Sequence, residues 1–139
     1  MSTVLRSELS EKNKYWIDKH RYYELKHFCM QYNTWKKTYY DLSNLKIPSS
    51  IFERITPSTM HSDFTAKYAI RKAYYGEKIK LVEETAKKTD EELWEYILRG
   101  VTEGLSYTYL KTNLGIPCSK NTYYDRYRRF FWLLSEYRQ

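Results

Sequence analysis

Glycine, proline, cysteine and histidine are all scarce in this chain, with four, three, two and three copies among 139 residues. Each scarcity excludes something. Four glycines, with no GxxxxGK[ST] or GxGxxG run, leave no loop able to gather backbone amides around a phosphate. Cys29 and Cys118 are far apart, form no CxxC pair and fit no zinc spacing, and two thiols are too few for a disulfide scaffold. His20 and His27 share one helix face seven residues apart, but no carboxylate or thiolate at a suitable spacing completes a metal triad. Core or interface histidines are expected there. The adjacent pairs Glu83-Glu84 and Glu91-Glu92 would not face each other on a helix, so they read as solvated faces rather than acid/base pairs. Cys118 precedes a basic helix, where a thiol pKa can fall, but no histidine is nearby in sequence and its place in a turn favours a small packing residue. No enzyme, cofactor or metal is expected. No apolar run approaches the roughly 20 residues of a membrane span, and the amino terminus has no signal-length apolar stretch. The expectation is a soluble, cytoplasmic protein with no membrane partner.

What is abundant is aromatic and positive. Aromatic residues make up 18% of the chain, sixteen of them tyrosine, and the formal net charge is +7. Tyrosine buries a large ring while keeping a hydroxyl for a partner, which suits packed helices and equally stacking or phosphate contacts. A basic balance is expected of a chain that approaches a polyanion. Its distribution says more. Over 105–139 six basic side chains face two acidic ones, whereas over 90–103 a single basic residue, Arg99, faces five acidic ones.

The periodicity is helical throughout, with no strand-like alternation of useful length and no internal repeat, so the expected fold is all-α, a multi-helix bundle. A first helix is expected from Glu11, with Trp16, His20, Tyr23, His27 and Met30 on one stripe and Leu25, Phe28, Cys29 and Tyr32 beside it, covered on more than one side. Asn33-Thr34 would cap a shorter helix over 35–42. Residues 43–62 carry two prolines, five serines and two threonines and read as a loop or linker, with a short turn near Ile51-Phe52. The expected segments are therefore 1–42, frayed over 1–9, then the linker 43–62, then 63–139. A long helix follows from Ser62 or Asp63 to about Lys88. Its Ala66, Ala69, Ala73 and Gly76 form a small-residue stripe suited to close helix packing, with Ile70, Tyr74, Ile79, Val82 and Ala86 as larger anchors. Thr89 or Asp90 would cap the next helix, whose apolar face is Leu93, Trp94, Ile97, Leu98 and Val101.

The most informative stretch is about 105–138. A short helix reaches Leu114 and breaks at Gly115, which can leave it in a left-handed conformation. Ile116 reads as a buried plug, Pro117 marks a turn, and Ser119 is placed to cap a second helix. In that helix Tyr123, Tyr127, Phe130, Phe131 and Leu134 form the buried stripe. Lys120, Asn121, Tyr124, Asp125 and Arg128 are assigned to the opposite side, where such groups can reach base edges. This is the pattern of a helix-turn-helix, whose second helix enters the DNA major groove. The competing reading is an amphipathic C-terminal helix with a solvated basic face.

The run Leu114-Gly-Ile-Pro-Cys-Ser-Lys-Asn-Thr-Tyr-Tyr-Asp-Arg-Tyr-Arg-Arg resembles the end of small phage-encoded transcriptional activators of the RinA/ArpU type, which carry a helix-turn-helix similar to region 4 of bacterial sigma factors. Its turn is one residue longer than the Gly-Val-Ser form. The resemblance implies a late-gene regulator acting on double-stranded DNA in a bacterial host cell, with host RNA polymerase as a further partner. Carried onto this sequence, Ser119, Lys120, Asn121 and Tyr124 would read bases, and Lys111, Arg126, Arg128 and Arg129 would hold phosphates. A regulator is expected to be a monomer or homodimer. The alternatives are a DNA-packaging component like a terminase small subunit, which would form a ring, and a protein-interaction module whose basic face meets an acidic partner. RNA also remains open, since exposed tyrosines can stack on unpaired bases.

Overall fold

The computed structural model describes residues 11–44 and 60–139, with side chains from Asp63 onward in the second stretch. The expected fraying over 1–9, most of the linker 43–62 with its turn at Ile51-Phe52, and the His61 side chain lie outside the described residues. Among the described residues there are six helices: α1 (Lys19–Cys29), α2 (Tyr32–Ser43), α3 (Met60–Thr89), α4 (Trp94–Glu103), α5 (Tyr107–Leu114) and α6 (Lys120–Tyr137). No strand occurs among the described residues, and the fold is all-α. The described residues fall into two compact units. One holds the chain up to Tyr32 together with Lys80–Gln139; the other is Asn33–Ile79. These units divide within α2 and within α3.

In the first unit α1 packs on α6 and α4, α4 on α6 and α5, and α5 on α6. The periodic stripe of α6 supplies the centre: Tyr123, Phe130, Phe131 and Leu134 are buried, against Leu25, Phe28 and Cys29 of α1 and Ile97 and Val101 of α4 elsewhere in the same core. Each such side chain removed from water contributes about 2 kcal/mol before entropy is counted. Tyr127, on the same stripe, stays half-buried and bonds through its hydroxyl to that of Tyr22 at 3.0 Å. Buried polar groups in this unit are largely satisfied locally. Thr85, Thr89 and Thr102 each donate to the carbonyl four residues earlier at 2.7 Å, so their hydroxyls enter the core without an unmet bond.

The start of the first helix differs from the expectation. Residues 11–18 are turns and extended chain, and α1 begins at Lys19 because Asp18 caps it, its carboxylate accepting from the His20 amide at 2.9 Å. The stripe that is buried is Tyr22, Leu25, Phe28, Cys29 and Tyr32, whereas Trp16, His20, His27 and Met30 are exposed. Of the two places expected for His20 and His27, core or interface, the core is excluded by their exposure. Both tolerate water, so nothing forces their face inward, while the neighbouring stripe carries the residues that water disfavours. Helix α1 also fastens the end of α6. Arg21 donates to the Ser135 hydroxyl and carbonyl, both at 3.1 Å, and to the Arg138 carbonyl, and the Arg138 guanidinium lies 4.0 Å from the Phe28 ring centroid.

In the second unit α2 meets α3 around Lys72–Lys78, through Trp35 and Tyr39. A Cβ on Gly76 would stand 3.0 Å from the Tyr39 ring, so the missing side chain permits the approach. Lys72 and Lys78 cover Tyr39 and Trp35, at 5.4 and 5.6 Å from the ring centroids. The small-residue stripe is used only there. Ala66, Ala69 and Ala73 are exposed, as are Ile70 at 68% and Tyr74 at 54%. The expected anchors of α3 thus divide: Val82 and Ala86 are core, and Ile70 and Tyr74 are not.

Candidate nucleic-acid interface

Local sequence builds the α5–turn–α6 unit as its signals demand. Ser106 caps α5 by accepting from the Tyr109 amide, and α5 ends at Gly115, which sits at φ 67° and ψ 36°. A side chain is strained in that region, so the glycine is what allows the exit. The amides of Gly115 and Ile116 both donate to the Leu110 carbonyl, and Ile116 is fully buried. Ser119 then caps α6, its hydroxyl accepting from the Thr122 amide at 3.2 Å. A bond absent from the sequence expectations closes the unit. The Tyr107 hydroxyl at the start of α5 donates to the Cys118 carbonyl at 2.5 Å, fixing the turn across its open side.

The residues assigned to base edges do not share one surface. At 100° per residue the outward line of α6 is Asn121, Asp125 and Arg128, while Lys120 and Tyr124 lie a quarter-turn away, beside Tyr127. Lys120, Tyr124 and Tyr127 line a cleft against α1 and the α4–α5 turn. Lys120 and Asn121 are exposed and carry no hydrogen bond or ion pair among the described residues. Ser119 is occupied as the cap. The Tyr124 hydroxyl accepts from the Tyr107 amide at 3.2 Å and is turned inward. Asp125 is paired with Arg126 at 2.5 Å.

The phosphate set divides similarly. Lys111 is exposed on α5. Arg126 is instead held within the fold: its Nε donates to Asp90 at 2.9 Å while Nη1 reaches Asp125. Those carboxylates neutralise it, which corrects its assignment as a phosphate ligand. Its pKa is raised, first by the Asp90 hydrogen bond. Arg128 and Arg129 are half-buried, and the Nε of each is buried without a hydrogen-bond partner.

Asp90 is the residue that sequence reasoning undervalued. Thr89 or Asp90 was expected to cap α4, but that helix begins at Trp94 with Leu93 at its N-cap and no side-chain cap bond; Asp90 instead caps the turn before it, accepting from the amides of Glu92 and Leu93, both at 2.9 Å. Its other oxygen reaches Arg126, joining the start of α4 to the second turn of α6. Partial burial raises its pKa, but the Leu93 amide, Arg126 and the Glu92 amide outweigh that and leave the carboxyl below its ordinary value. Cys118, expected as a small packing residue, is half-buried in the turn. Partial burial and the Asp90 charge raise its pKa, over the opposing effects of Lys111 and Arg126. Burial also raises the thiol of Cys29.

No protein-family model, curated protein or solved structure matches the chain.

Proposed function

We propose that the protein is a sequence-specific regulator that binds double-stranded DNA by placing the first turns of α6 in the major groove, as phage-encoded late-gene activators of the RinA/ArpU type do. The observation that carries this reading is the start of α6. It stands on a turn pinned by Gly115, Ile116 and the Tyr107–Cys118 bond, and it offers Lys120 and Asn121 to solvent with no partner among the described residues. Asparagine can pair bidentately with adenine and lysine can donate to guanine, and a fixed helix start sets the register of both. Arg128 and Arg129, further along α6, and Lys111 on α5 add positive charge to the same two helices.

Host RNA polymerase is the second partner under this reading. Glu91, Glu92 and Glu95 are exposed around the start of α4 and form the acidic surface for it. Reversing these three charges is expected to abolish co-purification with polymerase while leaving duplex binding in place; intact co-purification rejects the assignment.

Selection from a pool of random duplexes, at two salt concentrations and with sequencing of the retained fraction, tests the main claim. One enriched motif is expected, and its half-site spacing distinguishes a monomer from a homodimer. Asn121→Ala should weaken the selected site by about tenfold or more while changing random duplexes little. Arg129→Ala should weaken both alike and lower the salt slope by about one. Salt-sensitive retention without enrichment, together with a large closed ring in light scattering, would assign the chain to DNA packaging instead. No retention at low salt rejects DNA binding altogether.

A further inference from the structure

Beside the start of α6 lies a cleft of about 440 Å³ between α1, the α4–α5 turn and α6. That volume suits a ligand of one or two fused rings with substituents. Its chemistry is uneven in a useful way. Tyr22, Tyr107 and Tyr127 supply aromatic wall, and Leu105 and Met30 add apolar surface. Burial raises the pKa values of Tyr22 and Tyr127, so these phenols remain neutral at ordinary pH.

The charges at the rim do not cancel. Lys26 and Lys120 both line the cleft, and neither has an ion-pair partner among the described residues; Lys26 lies only at 5.9 Å from the Tyr23 ring centroid. The single carboxylate on the wall, Glu103, is already engaged by Arg99 through two hydrogen bonds of 3.0 and 3.2 Å. The first turn of α5, at Ser106 to Thr108, adds the positive end of a helix dipole to the same wall. A flat apolar surface beside two free ammonium groups and a neutralised carboxylate selects both shape and charge.

We propose that this cleft binds a planar aromatic anion, its ring against the tyrosine wall and its acid group held by Lys26 and Lys120. A carboxylate, sulfonate or phosphate would meet the same two donors. The binding site stands whether or not the chain binds DNA. Its consequence, which rests on the DNA reading above, is that occupancy removes Lys120 from the groove-facing set, so the ligand and the duplex compete.

The probe is 8-anilinonaphthalene-1-sulfonate, titrated into the full chain and followed by its fluorescence, with neutral N-phenyl-1-naphthylamine as the uncharged counterpart. One saturable site per chain is expected, with the neutral compound binding about tenfold more weakly. Lys26→Gln and Lys120→Gln should each weaken the sulfonate by about tenfold. Lys37→Gln, on α2 and outside the cleft, should not. Thermal melting of each variant separates loss of the site from loss of the fold. Absence of saturation up to millimolar probe, or unchanged affinity in the Lys26→Gln/Lys120→Gln double variant, overturns the proposal. With duplex present, saturating sulfonate should lower DNA affinity several-fold in the wild type but not in Lys26→Gln. A chain that binds the sulfonate yet retains no duplex overturns the DNA reading and leaves the ligand site standing.

Discussion

Gly100→Ala is expected to cost about 3 kcal/mol of folding stability. Intrinsic preference predicts the opposite sign, because alanine in a helix interior is favoured over glycine by about 1 kcal/mol. Gly100 is buried inside α4 with an ordinary helical backbone, so conformational freedom is not the reason for it. The reason is Tyr123. A Cβ at position 100 would collide with the Tyr123 hydroxyl and stand 3.3 Å from the ring carbon that bears it. Tyr123 is completely buried in the middle of the α6 stripe and has no room to retreat.

The same hydroxyl has no hydrogen-bond partner. Tyr123→Phe therefore removes an unmet polar group and is expected to be neutral or to stabilise by about 1 kcal/mol. In that background Gly100→Ala should cost less than about 1 kcal/mol, because the colliding atom is gone. Urea unfolding of the wild type, both single variants and the double variant gives a coupling of about 2 kcal/mol on this account. Simple additivity of the two changes would show that position 100 is intolerant for another reason.

Asp90→Ala is expected to be the second large loss, about 2–3 kcal/mol, since it removes together the oxygen that accepts from two amides in the turn before α4 and the bridge to Arg126. The Arg126 and Asp90 side chains are 35% and 18% exposed, so solvent screens the ionic part and most of the loss belongs to the amide bonds. Asp90→Asn keeps an acceptor oxygen for the cap and should lose about half as much. The pH dependence has a definite direction. The folded carboxyl lies below its unfolded value of about 3.9, so its contribution is fully present above that pH and disappears as pH falls through the folded value. Below about pH 4 the wild type should therefore lose stability more steeply than Asp90→Asn. There is a second readout under the DNA reading. Freed from Asp90, Arg126 becomes available to a phosphate, and the salt slope of duplex binding should rise rather than fall. A melting curve for Asp90→Ala that matches the wild type would remove the bridge from the account.

The part of the fold that could be read from the sequence was the part encoded within a few residues. Gly115, Ile116, Pro117 and Ser119 each carry a backbone instruction that neighbours do not override, and the turn follows all four. The same holds for the apolar face of α4 and the α6 stripe. The start of α1 was misplaced because Trp16, His20, His27 and Met30 keep a helical period without needing burial. Asp18 was the signal that could have corrected it. What no local pattern could give were the bonds across long separations: Arg126 to Asp90, Tyr107 to Cys118 and Arg21 to the end of α6. These decide which cations of α6 are paired within the fold, so the composition of that helix was legible while its division into presented and internally paired groups was not.

The hydroxyl bond between Tyr22 and Tyr127 has a consequence at the alkaline end. Burial is the main reason that both phenols, and that of Tyr123, hold their protons above the ordinary pKa of 10 in the folded chain. The unfolded chain gives up those protons near pH 10, so the three rings favour the fold below that pH and cease to do so as alkalinity rises through their folded values. Phenolate absorbance from these three rings is therefore expected to rise abruptly, as α1 parts from α6, which makes the protein's own tyrosines a reporter of when its core opens.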